Sequence, residues 1–264
     1  MSTEQARATR IRVPPLGGLL LSAADEHADS PAIVFPDFRL TYAELRDRAM
    51  HRARSLLALG IKRGEHVGIL LPTCHQFPEI FFAVSLCGAV PVPVNARYQA
   101  HELAYVIDNG DLVTVITTDE IAEQVNFVER MSRGLPDIVN AGDPANISIN
   151  DAPRLRSLVL LGQSAATGFL TEAQCDALAD QFSDDDVLRR RMKVKVRDPG
   201  LMLYTSGTTA NPKGAVISHE AMVRNSIALG RQRYQLTHED RFWSPLPMFH
   251  IAAILPIVSS FDVG

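Results

Sequence analysis

Cysteine is scarce in this 264-residue chain: Cys74, Cys87 and Cys175 are isolated, odd in number and free of any CxxC or Cys/His spacing. That pattern excludes a disulfide framework and a cysteine metal site, and it suits buried thiols in a reducing compartment. Long hydrophobic runs are lacking too. The longest, Ile80 to Val94, falls short of a membrane span and contains Pro91 and Pro93. The arginines and leucines near the start fail as a signal peptide, because the apolar stretch from Leu16 is short, broken by Gly17 and Gly18, and followed by Asp25 and Glu26. A cytoplasmic protein without a transmembrane segment is therefore expected. Excess positive charge is also missing: the formal net charge is -4, so nothing draws the chain toward nucleic acid. What remains, 46% hydrophobic and 21% charged, is the composition of an ordinary globular chain able to bury a sizeable core.

From residue 32 strand-like and helix-like segments alternate, which predicts an α/β fold with a largely parallel sheet flanked by helices. AIVF at 32–35 and the stretch from Phe38 to Leu40 flank a turn at Pro36 and Asp37. Thr41 with Glu44 gives the capping-box spacing, and Leu45, Ala49, Ala53, Leu56 and Leu59 then mark one apolar helix face that Gly60 ends. VGILL at 67–71, ended by Pro72, reads as a strand buried on both faces. A helix from about Phe77 leads to VPVPV at 90–94, where two prolines argue against a central, fully paired strand. A helix over 101–108, the strand LVTVITT at 112–118, a helix running through Val128, an irregular connection over 133–155 and the strand SLVLL at 157–161 follow. The acids and bases of 184–195 read as a solvated loop or helix face.

The chemistry concentrates after residue 200. LMLYT at 201–205 reads as a strand, SGTTANPKG as a loop, Val216 and Ile217 as a second β-prone run, and Ser218 as the cap of a helix with Glu220 in its first turn. A loop that holds polyphosphate needs hydroxyls, exposed amides and small residues that let the backbone approach. Ser206, Gly207, Thr208 and Thr209 meet that need, Lys213 adds a point charge, and Pro212 stiffens the approach to it. A GxxxxGK[ST] P-loop is not the match, since Pro212 stands at the second glycine and Gly214 where a magnesium-binding hydroxyl belongs.

The segment YTSGTTANPKG, Tyr204 to Gly214, resembles the signature YTSGTTGxPKG of the adenylate-forming superfamily, which includes the AMP-forming acyl-CoA synthetases. LTYAELRDRA at 40–49, GAVPVPVNARY at 88–98 and PLPMFHIAA at 245–253 resemble further family segments in the family's order, extending the likeness over roughly 30–264. Asn95 stands where peptide-synthetase domains usually have aspartate, which brings the wording closer to acyl-CoA synthetases. Ala210 departs from the family's usual glycine, and its methyl would strain the loop if φ there is positive.

The resemblance implies ATP-dependent activation of a fatty or aryl carboxylic acid to an acyl-adenylate, then transfer to CoA, with Mg2+ accompanying ATP. It implies phosphate contacts from Thr205, Ser206, Gly207, Thr208, Thr209 and Lys213. His250 matches a histidine that lines the acyl pocket in relatives and is assigned to substrate binding. Arg97 matches an arginine near the nucleotide and CoA side, with a surface cation as the equal alternative. The other seven histidines form no ligand cluster, and no residue is assigned to a metal. The expected organisation is a partial N-terminal domain over 1–264, with a first α/β subdomain over 30–195, the start of a second over 198–264, and the small C-terminal domain absent. Catalytic groups would lie past Gly264, leaving the isolated chain inactive, with apolar surface near Ile251 to Phe261 uncovered and a homo-oligomer left open. Two alternatives stand beside this reading: an adenylation domain that loads a carrier protein, and an inactive nucleotide-binding or interaction module.

Overall fold

The computed structural model describes residues 13–121, 125–205 and 211–264. A hairpin of β1 (Pro31–Phe35) and β2 (Phe38–Thr41) opens into α2 (Tyr42–Ala58), preceded by α1 (Leu16–Glu26). Both halves of the Thr41–Glu44 capping box form. The central sheet is parallel throughout, in the order β4 (Val90–Pro93), β3 (His66–Ile69), β5 (Leu112–Thr118), β6 (Ser157–Leu161), β7 (Leu170–Thr171). Continuous apolar runs make this possible, because every residue of β5 and β6 is buried. Side chains of β6 alternate between two cores: Val159 and Leu161 enter one, Leu158 and Leu160 the other.

Helices cover both faces. α3 (Gln76–Leu86) joins β3 to β4 over the first core, whereas α4 (Ala100–Asn109) and α5 (Phe127–Gly134) carry the chain to β5 and β6 over the second. The two prolines of β4 place it at the sheet edge. The Val90 and Val94 amides donate to Glu65 and Ile69 carbonyls on the β3 side, so the period of two turns positions 91 and 93 outward, where no ladder bond is lost. Beside that edge lies β8 (Pro199–Thr205), paired in antiparallel fashion with β9 (Lys213–Ser218) rather than with β4. It still feeds both cores, Leu201 and Leu203 into one and Met202 into the other. α6 (Glu172–Leu178), α7 (Asp184–Arg191), α8 (His219–Ala228) and α9 (Ile251–Ser260) complete the order, with Ser218 capping α8 through the Ala221 amide.

Two expectations change, and one further helix appears. The helix expected to run through Val128 instead begins at Phe127, capped by Asn126. The stretch from Leu16 is a buried helix, and Gly17 lets it meet the end of α3, where a Cβ would lie 3.0 Å from the Leu86 amide nitrogen. The apolar surface near Ile251 to Phe261 is mostly covered: Ile254, Val258 and Phe261 are buried, the last with its ring 5.0 Å from Tyr42 and 4.8 Å from Phe82. Exposed apolar groups fall just ahead of α9, with Trp243 at 81% exposure. All three cysteines are free and buried, and burial pushes the Cys74 and Cys87 thiols up to about 12. No described helix is long and apolar enough to cross a membrane.

Candidate active site

In a sheet ordered β4-β3-β5, the connections leaving β3 and β5 diverge to opposite faces, and a crevice opens beyond the carboxyl ends of those strands. A cleft of about 230 Å³ occupies that place. Pro72 and Thr73 follow β3, Ala96 and Arg97 follow β4, and Glu120 follows β5. Val125 and Phe127 close one side, Pro247 and Phe249 the other. The Pro247–Phe249 wall is tied down by the Met248 amide, which donates to Thr73 Oγ1 at 3.3 Å. Arg97 is exposed, and its backbone amide donates to Asn95 Oδ1 at 2.9 Å, an Asx turn that fixes the bend after β4.

His250 stands at the N-cap of α9, exposed, with its ring centroid 4.7 Å from that of the buried Phe249. Its carbonyl accepts from the Ala253 and Ile254 amides, while the imidazole makes no capping bond and is left available to solvent. The structure thus brings Arg97 and the PMF segment into one cleft, with His250 adjoining its wall. A larger cavity of about 420 Å³ shares Thr73 and Met248 with this region and runs between Ala32–Pro36 and Phe242–Ser244. Among the described residues no charged side chain lines it, and most of its lining is apolar; the smaller cleft holds both the cation and the carboxylate.

The β8–β9 hairpin carries the second group. Thr205 ends β8, Lys213 begins β9, and the two are cross-strand partners, with the Thr205 hydroxyl 3.5 Å from the Lys213 carbonyl oxygen that accepts from it. Ser206, Gly207, Thr208, Thr209 and Ala210 lie outside the described residues. Lys213 is exposed, without an ion pair among the described residues, so its ammonium is open to an anion. Neither Thr205 nor Lys213 is among the described residues that line the cleft. The base of α8 behind the hairpin is dry: His219 is 1% exposed, its Nδ1 accepts from the Leu16 amide at 3.2 Å, and burial holds the imidazole down at about 4.

Among the described residues no group of three or more His, Cys, Asp or Glu could hold a metal ion. Thr73 and Glu120 escaped sequence reasoning, although the strand ends at Pro72 and Thr118 were legible and the carboxyl-end rule points to the residues just after them.

Residues 20–264 match the family described as AMP-binding enzyme. The acyl-CoA ligase sidI of Aspergillus fumigatus is 30% identical over 237 residues, covering 89% of this chain and 38% of that protein. The long-chain-fatty-acid–CoA ligase FadD13 of Mycobacterium tuberculosis is 29% identical over 247 residues, covering 93% and 43%. The chain therefore spans less than half the length of these relatives. The inhibitor-bound N-terminal domain of FACL13 from Mycobacterium tuberculosis superimposes with a TM-score of 0.72 at 25% identity, over 94% of this chain and 55% of that one. The anthranilate CoA ligase AuaEII in complex with anthranoyl-AMP shares the fold with a TM-score of 0.75 at 20% identity, over 100% and 45%. The signature hairpin, the doubly wound sheet and a match running to Gly264 agree: this chain belongs to the AMP-binding enzymes of the adenylate-forming superfamily and carries the amino-terminal portion of their fold.

Proposed function

We propose that the protein acts in the ATP-dependent activation of a carboxylic acid, fatty or aryl, to an acyl-adenylate, followed by transfer of the acyl group to CoA. The observation that carries this reading is the pairing of the two ends of YTSGTTANPKG, Tyr204 with Gly214 and Thr205 with Lys213, with Lys213 exposed and in no ion pair among the described residues. Carboxylate and triphosphate are both anions, so bringing them together demands positioned hydroxyls, amides and a cation. Thr205, Ser206, Gly207, Thr208, Thr209 and Lys213 would hold the phosphates. Arg97 would serve the nucleotide and CoA side from the cleft, and His250 would bind the acyl substrate beside Phe249. The uncharged cavity next to that cleft supports an acid with an apolar body.

Magnesium would enter with ATP, supplying charge neutralisation at the phosphates, since the described residues offer no cluster to hold it alone. The division into subdomains over 30–195 and 198–264 belongs to the same proposal: the parallel sheet ends with α7, and β8 opens a new pairing. Acid-dependent exchange of pyrophosphate into ATP tests it across aliphatic, aromatic and amino acids. Exchange with an apolar acid is expected, and CoA should then draw the adenylate on to thioester. No acid-dependent exchange in the protein at its natural length would overturn the reading.

A further inference from the structure

Tyr204 stands immediately before the phosphate-loop segment, yet its side chain leaves the hairpin. Its hydroxyl donates to Asn109 Oδ1 at 2.9 Å. Asn109 is the last residue of α4, and the turn behind it is pinned from three directions. The Gly110 amide donates to the Val106 carbonyl at 2.9 Å, the Asp111 amide to the Asp108 carbonyl at 2.9 Å, and His66 Nδ1, at the start of β3, to the Gly110 carbonyl at 2.7 Å. Two glycines make room for the phenol. A Cβ on Gly110 would lie 3.1 Å from the hydroxyl, and one on Gly214, the cross-strand partner of Tyr204, 3.2 Å from the ring. Burial first, then the neighbouring Tyr105 and Tyr98, pushes the phenol up to about 12, so the hydroxyl keeps its proton at neutral pH.

We infer that Tyr204 is a positioning residue for the phosphate loop: its bond to Asn109 ties the root of the hairpin to the turn that opens β5. The inference rests on the reading of Thr205 to Lys213 as that loop. Tyr204 pairs with Gly214 and Thr205 with Lys213, so a displacement at Tyr204 passes through one step of the ladder to both ends of the loop. Such a tie acts where the ladder does not, because β8 lies beside β4 but pairs with β9 instead. The strut ends at the turn that His66 pins, at the amino ends of β3 and β5, whereas the cleft lies past the carboxyl ends of those strands.

The full chain would be compared as wild type, Tyr204→Phe, Asn109→Ala, the double variant, and Asn109→Asp, which keeps an acceptor oxygen. Three quantities are read: hydrogen exchange across residues 201–218, the thermal midpoint, and calorimetric affinity for tripolyphosphate. Loss of one neutral hydrogen bond should weaken tripolyphosphate binding roughly two- to tenfold in either single variant, with faster exchange confined to 201–218. The double variant should be no worse than the singles, and Asn109→Asp should match wild type. A structural role alone would lower the midpoint and speed exchange across the chain without this pattern. Lys213→Ala serves as the reference: if it leaves tripolyphosphate binding unchanged, the phosphate reading fails, and local exchange still decides whether the strut holds the hairpin. If Lys213→Ala weakens binding while Tyr204→Phe moves neither exchange nor affinity, or if the singles add in the double, the positioning role is overturned.

Discussion

The parallel sheet and the β8–β9 hairpin follow opposite rules. Each residue of β5 and β6 is buried, and the strands are uninterrupted apolar runs. In β9 the first four residues, Lys213 to Val216, are all exposed. Burial on two faces gives the sheet its stability and a strong periodic signal in the sequence. If its loop meets phosphate, as proposed, the hairpin cannot be built that way, because such a loop has to keep its polar groups accessible. Stability and chemistry are therefore separable here: substitutions in the first region should unfold the protein, and those in the second should alter binding with the fold intact.

The sharpest test of that separation is a buried charge in the sheet's helical cover. Arg52, on α2, donates from Nε to Glu79 Oε1 at 2.7 Å and also bonds Glu172 and Asp176, joining α2, α3 and α6. Glu79 is 2% exposed, so removing the guanidinium strands a buried carboxylate. Arg52→Ala is expected to lower the unfolding free energy by about 3–5 kcal/mol in urea denaturation. A loss below about 1 kcal/mol would show that the carboxylates find water or protons cheaply, and the contrast between regions would weaken.

A second stability effect follows from His219, which sits where the two regions meet. Its neutral ring accepts from the Leu16 amide, and burial lowers its titration to about 4 from the ordinary 6.5. The unfolded chain binds the proton more readily, so this contribution is complete above pH 6.5 and is lost as pH falls toward 4. The loss amounts to about 3 kcal/mol between those limits. His219→Asn, which keeps an acceptor, should flatten the slope of stability with pH over that window. An unchanged slope would place the acid sensitivity elsewhere.

Legibility divides along the same line. The runs 112–118 and 157–161 are strands as their apolar continuity predicts, and Thr41 and Ser218 cap helices as their spacing predicts, because these signals are local. The Arg52 network was not legible, since its partners lie 27, 120 and 124 residues away. Nor was the burial of Leu16 to Leu20 at the start of α1, where α3 offers a backbone close to Gly17. The order of residues in Tyr204 to Gly214 pointed to a loop after a strand, but not to the hairpin, in which Lys213 and Gly214 already belong to β9; Thr73 and Glu120 emerge only when β3 and β5 are seen side by side.

On the hairpin the expected pattern reverses. Lys213 is exposed and unpaired among the described residues, so Lys213→Ala should leave the thermal midpoint within the scatter of surface substitutions. Losing a charge-assisted phosphate contact should still cost about 1.5–3 kcal/mol, roughly ten- to a hundredfold in ATP use. Steady-state kinetics with varied ATP reads this directly. Equal ATP kinetics in the variant would take Lys213 out of the phosphate site.

The smallest expected change is at His250, and it probes whether the cleft and the hairpin are distinct in function. The imidazole caps nothing, so His250→Ala should cost less than about 0.5 kcal/mol of stability. Its backbone role at the start of α9 survives the substitution, because the Ala253 and Ile254 amides donate to its carbonyl rather than to its ring. What changes is the surface beside Phe249, whose side chain closes the cleft that holds Arg97 and Glu120. If that wall belongs to the acyl end, the ratio of kcat/KM values between a bulky and a small acid should shift several-fold while the KM for ATP stays constant. The hairpin is the proper comparison: Lys213→Ala should move the KM for ATP and leave the acid ratio alone. A His250→Ala variant that lost ATP affinity at an unchanged acid ratio would move His250 to the nucleotide side and merge the two groups into one site.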